Sequence, residues 1–412
     1  MCECKVNKEQ APVKPEKKFR LADFFDAYWD EYVKSPKEYL QPEQYKAVNA
    51  IRTCRTPALG VDVYACPECG EATEVYHSCK NRFCPTCGWK DTVKWSDRLK
   101  DNMLNLPHRH VVFTLPHSLI QLIKDNGKHL LNILMRTTAD TLKDWIQHKY
   151  GLKIGIITVL HTYGEKKNNH FHVHMIISWG GIDASTGELK AIKGDYVNYG
   201  FLQDKFRCKF EDSLIKMFDS GQLEHHFSNR LEFMKSLKRI NKKNWQLHLE
   251  PPMEIPALVI RYIGRYSKRA CLSEHKITQM EGEYISFRHK DYANLDINNK
   301  PIERELTLHY YDFFPLLLQH VPLPYFRIVR YYGLYSNRGQ VPEGYLCKDT
   351  STLDGPADDS DALYVENQLY CQHCRREKEY QYTIIDKRKT SKMGQHTIIV
   401  YSKPVMHKRK AA

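Results

Sequence analysis

The sequence predicts an α+β protein, on three observations. From His108 onward the pattern reads strand, helix, strand, strand: "HVVFTLP", a long helical stretch from about Ser118 to Lys149, then "KIGIITVLHTY" and "FHVHMIIS". Further helical stretches stand apart from these strands, at the N-terminus and in the middle of the chain, so strands and helices do not alternate as a parallel sheet requires. Between the N-terminal helix and the first strand lies a cysteine-rich, turn-rich segment from Cys54 to about Trp95. It is too short and too poor in aliphatic residues to hold a core without a metal.

Each element has its own signal. Aromatic and apolar residues recur at three- and four-residue steps in "FRLADFFDAYWDEYV", which makes Phe19 to about Ala50 helical. The charged stretch from about Phe201 to Lys242 is helical as well. It is followed by "NWQLHLEP" as a strand and by "PALVIRYIGRYSKRACL" as a helix opened by Pro256. A hairpin with "MEGEY" near its tip comes next, then a helix around "LHYYDFFPLLLQHV". The acidic, turn-prone run from Asp349 reads as a linker to a basic tail. The chain has no internal repeat.

Composition narrows the function classes. A chain of 412 residues, 42% hydrophobic, has material for two or three cores. No apolar run approaches the roughly 20 residues that cross a bilayer, and the first residues are polar, so neither anchor nor export signal is expected. Thirteen cysteines, some in tight pairs, point in such a chain to metal in a reducing compartment rather than to disulfides, hence to the cytoplasm. Lysine and arginine exceed acidic residues by 62 to 49, a formal charge of +13 that suits a polyanionic partner.

Cys66-Pro-Glu-Cys69-Gly and Cys84-Pro-Thr-Cys87-Gly are two copies of one turn, fourteen residues apart. Each offers two thiolates on a stiff bend, and together Cys66, Cys69, Cys84 and Cys87 are expected to make one closed tetrahedral zinc site of structural character. Cys54, His77 and Cys79 lie near in sequence, as a second site or as substitutes for one ligand. Lys80 and Arg82 in "SCKNRFCP" are candidates to grip DNA phosphates, a solvated basic face being the plainer alternative.

Four histidines fall within fourteen residues: His161, His170, His172 and His174. Alternate side chains of a strand share a face, so His172 and His174 can hold one ion while Phe171, Val173 and Met175 enter the core. His161 ends the preceding apolar run and would join the pair if the two strands are antiparallel; Glu165 and His170 are the other candidates for third ligand. His108 and His110 repeat the spacing, but at the start of a strand and around Arg109. They are expected to be surface histidines.

In "RYIGRYSKR", Tyr262 and Tyr266 stand four apart on one helical face. Arg261, Arg265 and Arg269 form a flank that suits phosphates. A phenol, with a reference pKa of about 10, is a poor nucleophile until its electrophile is polarised. An ion on the histidines meets that need.

In combination these motifs resemble the insertion-sequence-91 type transposases of the HUH endonuclease superfamily. The shared order is the double C-x-x-C segment with "SCKNRFCPTC", then "HVVFTLP", "LHTYG" with "HFHVH", and "YIGRYSKR", from about Cys54 to Asn337. The resemblance implies an antiparallel sheet whose central strand carries His172 and His174, flanked by helices and facing a helix with the nucleophiles Tyr262 and Tyr266. It implies a catalytic Mg2+ or Mn2+, with His161 as third ligand, beside the structural zinc. The implied activity is cleavage and rejoining of single-stranded DNA at transposon ends and target through a 5′-phosphotyrosine, in rolling-circle-like transposition, by a protein expected at the nucleoid. The implied domains are an N-terminal helical segment (1–53), a zinc-binding domain (54–100), the nuclease domain (101–340) with a helical insertion at about 200–243, and a linker and basic tail (341–412) with room for a zinc knuckle at Cys347, Cys371 and Cys374. Two other readings remain at this level: a zinc-dependent DNA-binding protein without catalysis, its tyrosines stacking on bases, and a metal-dependent hydrolase.

Overall fold

The structure is a computed structural model, and it describes residues 19–35, 40–87, 95, 99, 102–240, 245–254, 270–339, 341–347, 369–386 and 398–401. The helix expected over "PALVIRYIGRYSKRACL" lies outside the described residues as far as Arg269, with Arg261, Tyr262, Arg265 and Tyr266, as does most of the expected acidic linker. Among the described residues there are helices α1 (Leu21–Tyr32), α2 (Pro42–Thr53), α3 (Ile120–Tyr150), α4 (Tyr199–Asp219), α5 (Arg230–Arg239) and α6 (Tyr310–Leu318). The strands are β1 (Val61–Ala65), β2 (Ala72–Tyr76), β3 (His108–Thr114), β4 (Leu152–Lys153), β5 (Gly155–Tyr163), β6 (Asn169–Ser178), β7 (Gly180–Asp183), β8 (Leu189–Ala191), β9 (Gln246–Leu249), β10 (Ile277–Glu281), β11 (Tyr284–Leu295), β12 (Pro301–His309), β13 (Val329–Gly333), β14 (Glu379–Asp386) and β15 (Ile398–Tyr401). The fold is α+β, with antiparallel pairing in every sheet.

The central sheet has the order β13-β5-β6-β3-β9, which puts the histidine strand β6 in the middle. Both faces of this sheet are covered, and β5 and β6 therefore carry apolar residues on both sides. On one face Phe171, Val173 and Met175 of β6 meet Leu130, Leu134, Leu142 and Ile146 of α3, together with Leu202, Phe206 and Phe210 of α4. Those helical positions repeat at steps of four, one stripe facing the sheet, and each fully buried side chain stabilises by about 1.5–3 kcal/mol. Gly127 breaks the start of α3 with φ +30, a left-handed angle costly for any residue with a Cβ. On the opposite face Ile157, Val159 and Ile176 pack against Trp95, Leu99 and Met103, just beyond the histidines.

A second core joins the N-terminal helices to α6 and to strands β10 and β11. Phe24, Phe25, Trp29 and Tyr32 of α1 interleave with Phe313 and Phe314 of α6, the rings of Phe25 and Phe314 stacking at 4.9 Å. The N-terminal helices are thus not a separate appendage: the Leu21 amide donates to the Glu274 carboxylate at 3.1 Å, and Gln44 reaches the Leu318 carbonyl.

The C-terminal region departs from the expected tail. Strand β14 pairs antiparallel with β1, Val61 opposite Ile384 and Ala65 opposite Glu379, completing a four-stranded sheet of order β15-β14-β1-β2. The segment "EYQYTIID" alternates weakly and is flanked by charge, so its strand character depends on an edge offered more than three hundred residues earlier.

Candidate functional site

The β5–β6 hairpin fixes the histidine geometry. Its turn closes with the Gly164 amide on the Asn168 carbonyl at 3.0 Å and the Lys167 amide on the Gly164 carbonyl at 3.1 Å, Lys167 taking a left-handed φ of 63°. The end of α6 braces the same turn: His320 bonds Thr162 Oγ1 at 3.0 Å and the Lys167 carbonyl at 2.6 Å, and Asn169 donates to Gln319.

In the resulting register His161 lies directly opposite His172, and Val159 opposite His174. Directly opposed residues share a sheet face, so all three imidazoles project from one side. Their ligand nitrogens lie within 4.8 Å of one another, and ring centroids are 5.1 Å apart for His161–His172, 4.6 Å for His161–His174 and 4.9 Å for His172–His174. Burial, with repulsion from His161, holds His172 and His174 well below the ordinary histidine pKa, so both are neutral at pH 7 and offer lone pairs. His172 Nδ1 donates to the His170 carbonyl at 2.9 Å, which makes Nε2 the lone-pair nitrogen.

The other two candidates for third ligand do not join the group, although the His170 ring centroid is 5.0 Å from that of His172. Glu165 bonds Lys276 Nζ at 3.1 Å and the Lys290 amide at 3.3 Å. His170 lies next to His117, ring centroids 5.8 Å apart, and outside the group of three.

The expectation for His108 and His110 requires correction. They are 0% and 2% exposed, because β6 pairs with this start of β3 on one side and the Glu250–Met253 segment after β9 hydrogen-bonds to it on the other, and Arg109 is buried between them over the Trp179 ring. His110 Nε2 contacts His174 Nδ1 at 2.9 Å, directly behind the cluster. The triplet does begin the strand, as expected, but this strand start is buried; the alternate spacing is the available signal.

His108 is a neutral ring by its contacts, with Nδ1 donating to the Leu106 carbonyl at 2.8 Å and Nε2 accepting from Tyr335 Oη at 2.6 Å. Burial pushes its pKa from 6.5 down to about 4. Between those values the unfolded chain takes up a proton that the folded chain refuses, so stability is lost as pH falls through that window. His108→Gln removes this uptake. The variant's unfolding free energy, from urea denaturation, is expected to fall by about 2 kcal/mol less than that of the unsubstituted chain on going from pH 7 to about pH 4.5. Equal losses would refute the neutral ring.

A cavity of about 250 Å³ opens beside His161, lined among others by Tyr163, Phe171, Arg82, Phe83 and His320. Ala270 and Cys271, which directly follow Arg269 in the sequence, line it too. Arg82 is half-buried at the cavity wall, whereas Lys80 is exposed.

The cysteines do not form the single site expected of Cys66, Cys69, Cys84 and Cys87. Their sulfurs fall into two groups, Cys54 with Cys79, Cys84 and Cys87, and Cys66 with Cys69, Cys371 and Cys374, each within 4.8 Å. The reason is topological. Strands β1 and β2 carry the Cys66–Cys69 turn away from the Cys84–Cys87 turn, which packs at the end of α2 beside Cys54. In the first group Cys87 Sγ is 3.4 Å from Cys54 and 3.5 Å from Cys79, and the hydrogen bonds it receives from the neighbouring thiols push its pKa far down. His77 is outside both groups, bonding Asp62 and the Leu59 carbonyl.

Known proteins can now be set beside this geometry. The family described as "Putative transposase" matches residues 155–342, the span that holds all three clustered histidines, and the "Transposase zinc-binding domain" matches residues 24–115, with the whole Cys54 group. "Putative transposase y4qJ" of Sinorhizobium fredii is 31% identical over 345 residues, covering 82% of this chain and 85% of its own. The "Transposase for insertion sequence element IS801" of Pseudomonas savastanoi pv. phaseolicola is 28% identical over 310 residues, covering 73% and 72%. No solved structure matches. No helix among the described residues is long and apolar enough to cross a membrane. The chain belongs to the insertion-sequence-91 type transposases and carries their zinc-binding domain in its N-terminal region.

Proposed function

We propose that this transposase cuts and rejoins single-stranded DNA with Tyr262 or Tyr266 as nucleophile, next to a divalent ion, Mg2+ or Mn2+, held by His161, His172 and His174. The observation that carries the reading is the convergence of three buried or half-buried imidazoles on one face of a central strand, a donor set suited to a divalent ion. With His174 Nδ1 engaged by His110 and His172 Nδ1 by a carbonyl, Nε2 is the ligand nitrogen of both. The ion, when bound, supplies polarisation of the scissile phosphate.

The tyrosines enter on the sequence alone. Attack of the phenolic oxygen on phosphorus breaks the bond to the 3′ oxygen, leaving a 3′-hydroxyl and a 5′-phosphotyrosine. Because the phosphodiester's energy is conserved in that bond, another 3′-hydroxyl can reverse the step without ATP. Arg261, Arg265 and Arg269 would hold the phosphates of the strand, with Arg82 at the cavity wall and Lys80 outside it. The thiols of Cys54, Cys79, Cys84 and Cys87 fit a structural zinc: four sulfurs converge and leave no position for water.

The test is incubation with labelled single-stranded oligonucleotides and Mn2+. A protein–DNA adduct that survives denaturation is expected. Tyr262→Phe with Tyr266→Phe should abolish it while noncovalent affinity stays within about twofold, since a ring that only stacks keeps its face without its hydroxyl. An adduct of normal yield from the double variant overturns the assignment.

A further inference from the structure

We propose that Cys66, Cys69, Cys371 and Cys374 form a second four-thiolate zinc site, which clasps the C-terminal strands onto the N-terminal zinc-binding domain. Cys371 and Cys374 lie outside the residues matched by either family, and their partners precede them by about three hundred positions.

Four sulfurs within 4.8 Å, Cys69 Sγ being 3.5 Å from Cys371 Sγ, are the donor set that a tetrahedral zinc takes. The backbone around them is the second observation. Cys66 and Cys371 head the same turn. In the first the Gly70 amide donates to the Cys66 carbonyl at 3.0 Å and the Cys66 amide to the Glu71 carbonyl at 3.0 Å. In the second the Arg375 amide donates to the Cys371 carbonyl at 2.9 Å and the Cys371 amide to the Arg376 carbonyl at 2.8 Å. Both turns place the residue after the second cysteine in the left-handed region, Gly70 at φ 72 and Arg375 at φ 52. Glycine takes that angle freely; arginine does so at a cost on the order of 1 kcal/mol. The strained turn is therefore held by something outside itself, and two facing turns of one shape with four inward sulfurs suit one ion. The Cys374 amide points at Cys371 Sγ at 3.4 Å, as amides do toward thiolates in such sites.

The surroundings fit a clasp. Arg376 pairs with Glu68 at 2.8 Å, and the buried Lys378 ammonium reaches Thr73 at 2.6 Å and Glu71 at 3.4 Å. These contacts run between the two turns and lead into the β1–β14 pairing, which begins at Ala65 and Glu379, directly beside the site. A site that joins distant parts of a chain closes a long loop, where a cross-link removes the most conformational entropy from the unfolded chain.

The test is independent of catalysis and of the histidine cluster. Metal content of the purified full-length chain, measured by plasma mass spectrometry, is expected to fall by about one zinc in Cys371→Ser/Cys374→Ser, and by the same amount in Cys66→Ser/Cys69→Ser. In both variants hydrogen exchange of the β14 amides should accelerate more than tenfold, while α1 and α2 stay protected. An unchanged zinc content, or a disulfide between Cys69 and Cys371 in the unsubstituted chain under non-reducing mass mapping, would overturn the site. Should the variants not fold, cobalt titration of the unsubstituted, metal-depleted chain decides. The sulfur-to-cobalt absorption, which imidazole ligands do not produce, should saturate at about two equivalents; saturation at one equivalent overturns the proposal.

Discussion

Replacing His172 with alanine is expected to reduce formation of the denaturation-resistant adduct by more than about a hundredfold, the scale on which removing one preorganised electrostatic partner of a transition state acts. Two imidazoles would remain, and an ion held by two nitrogens is both weaker bound and less well aimed. His172 is the informative choice because its removal disturbs little else: its ring is half-buried, and its Nδ1 donates to the carbonyl two residues before it in the same strand. Thermal unfolding should therefore shift by only a few degrees. Measured across Mn2+ concentrations, a loss that partly recovers at high Mn2+ separates weakened binding from misplacement, and both support the metal role. Unchanged adduct yield at every concentration would remove His172 from the site.

The strands and helices with strong periodicity are legible in the sequence. An antiparallel hairpin is legible in the apolar runs "KIGIITVLHTY" and "FHVHMIIS" with a short glycine-containing turn between them, whereas the register that sets His161 opposite His172, rather than Glu165 or His170 beside the pair, is visible only in the pairing of β5 with β6. What sequence could not provide was pairing between distant segments. The two C-x-x-C turns nearest each other look like natural partners, yet the β1–β2 hairpin directs one of them to Cys371 and Cys374, and the other finds Cys54 at the end of α2. Spacing along the chain reports which thiols share a turn, not which turns share an ion. His108, Arg109 and His110 failed for a related reason. A polar triplet reads as exposed unless both its neighbours are known, and the segment that covers its far side, Glu250 to Met253, follows β9 and lies far along the chain from β3. Strand β14 was likewise unreadable, since its partner edge belongs to the other end of the chain.

Cys84→Ser is expected to be the most damaging single change to folding. Cys84 is 1% exposed, within the cluster of Cys54, Cys79 and Cys87, and the cluster forms one wall of the aromatic core shared by α1, α2 and α6. Loss of one thiolate from a closed structural site forfeits much of a binding free energy that amounts to about 10–16 kcal/mol in small zinc domains, more than the roughly 5–15 kcal/mol by which a whole domain is stable. The damage should also propagate. Phe83, adjacent to Cys84, packs in that core and lines the cavity beside His161, and the core includes α6, whose following residues Gln319 and His320 brace the hairpin that sets the histidine register. Strand cleavage is thus expected to fall together with zinc content and with protection of α1 and α2 in hydrogen exchange, although Cys84 is not part of the histidine cluster. Cys371→Ser acts on the other group of thiols and has no such route to the hairpin, so its effect on cleavage should be smaller by at least about tenfold. A Cys84→Ser chain that keeps its zinc, its unfolding temperature and its cleavage would show that the buried thiols only pack, and the link between the zinc-binding domain and the histidine site would have to be abandoned.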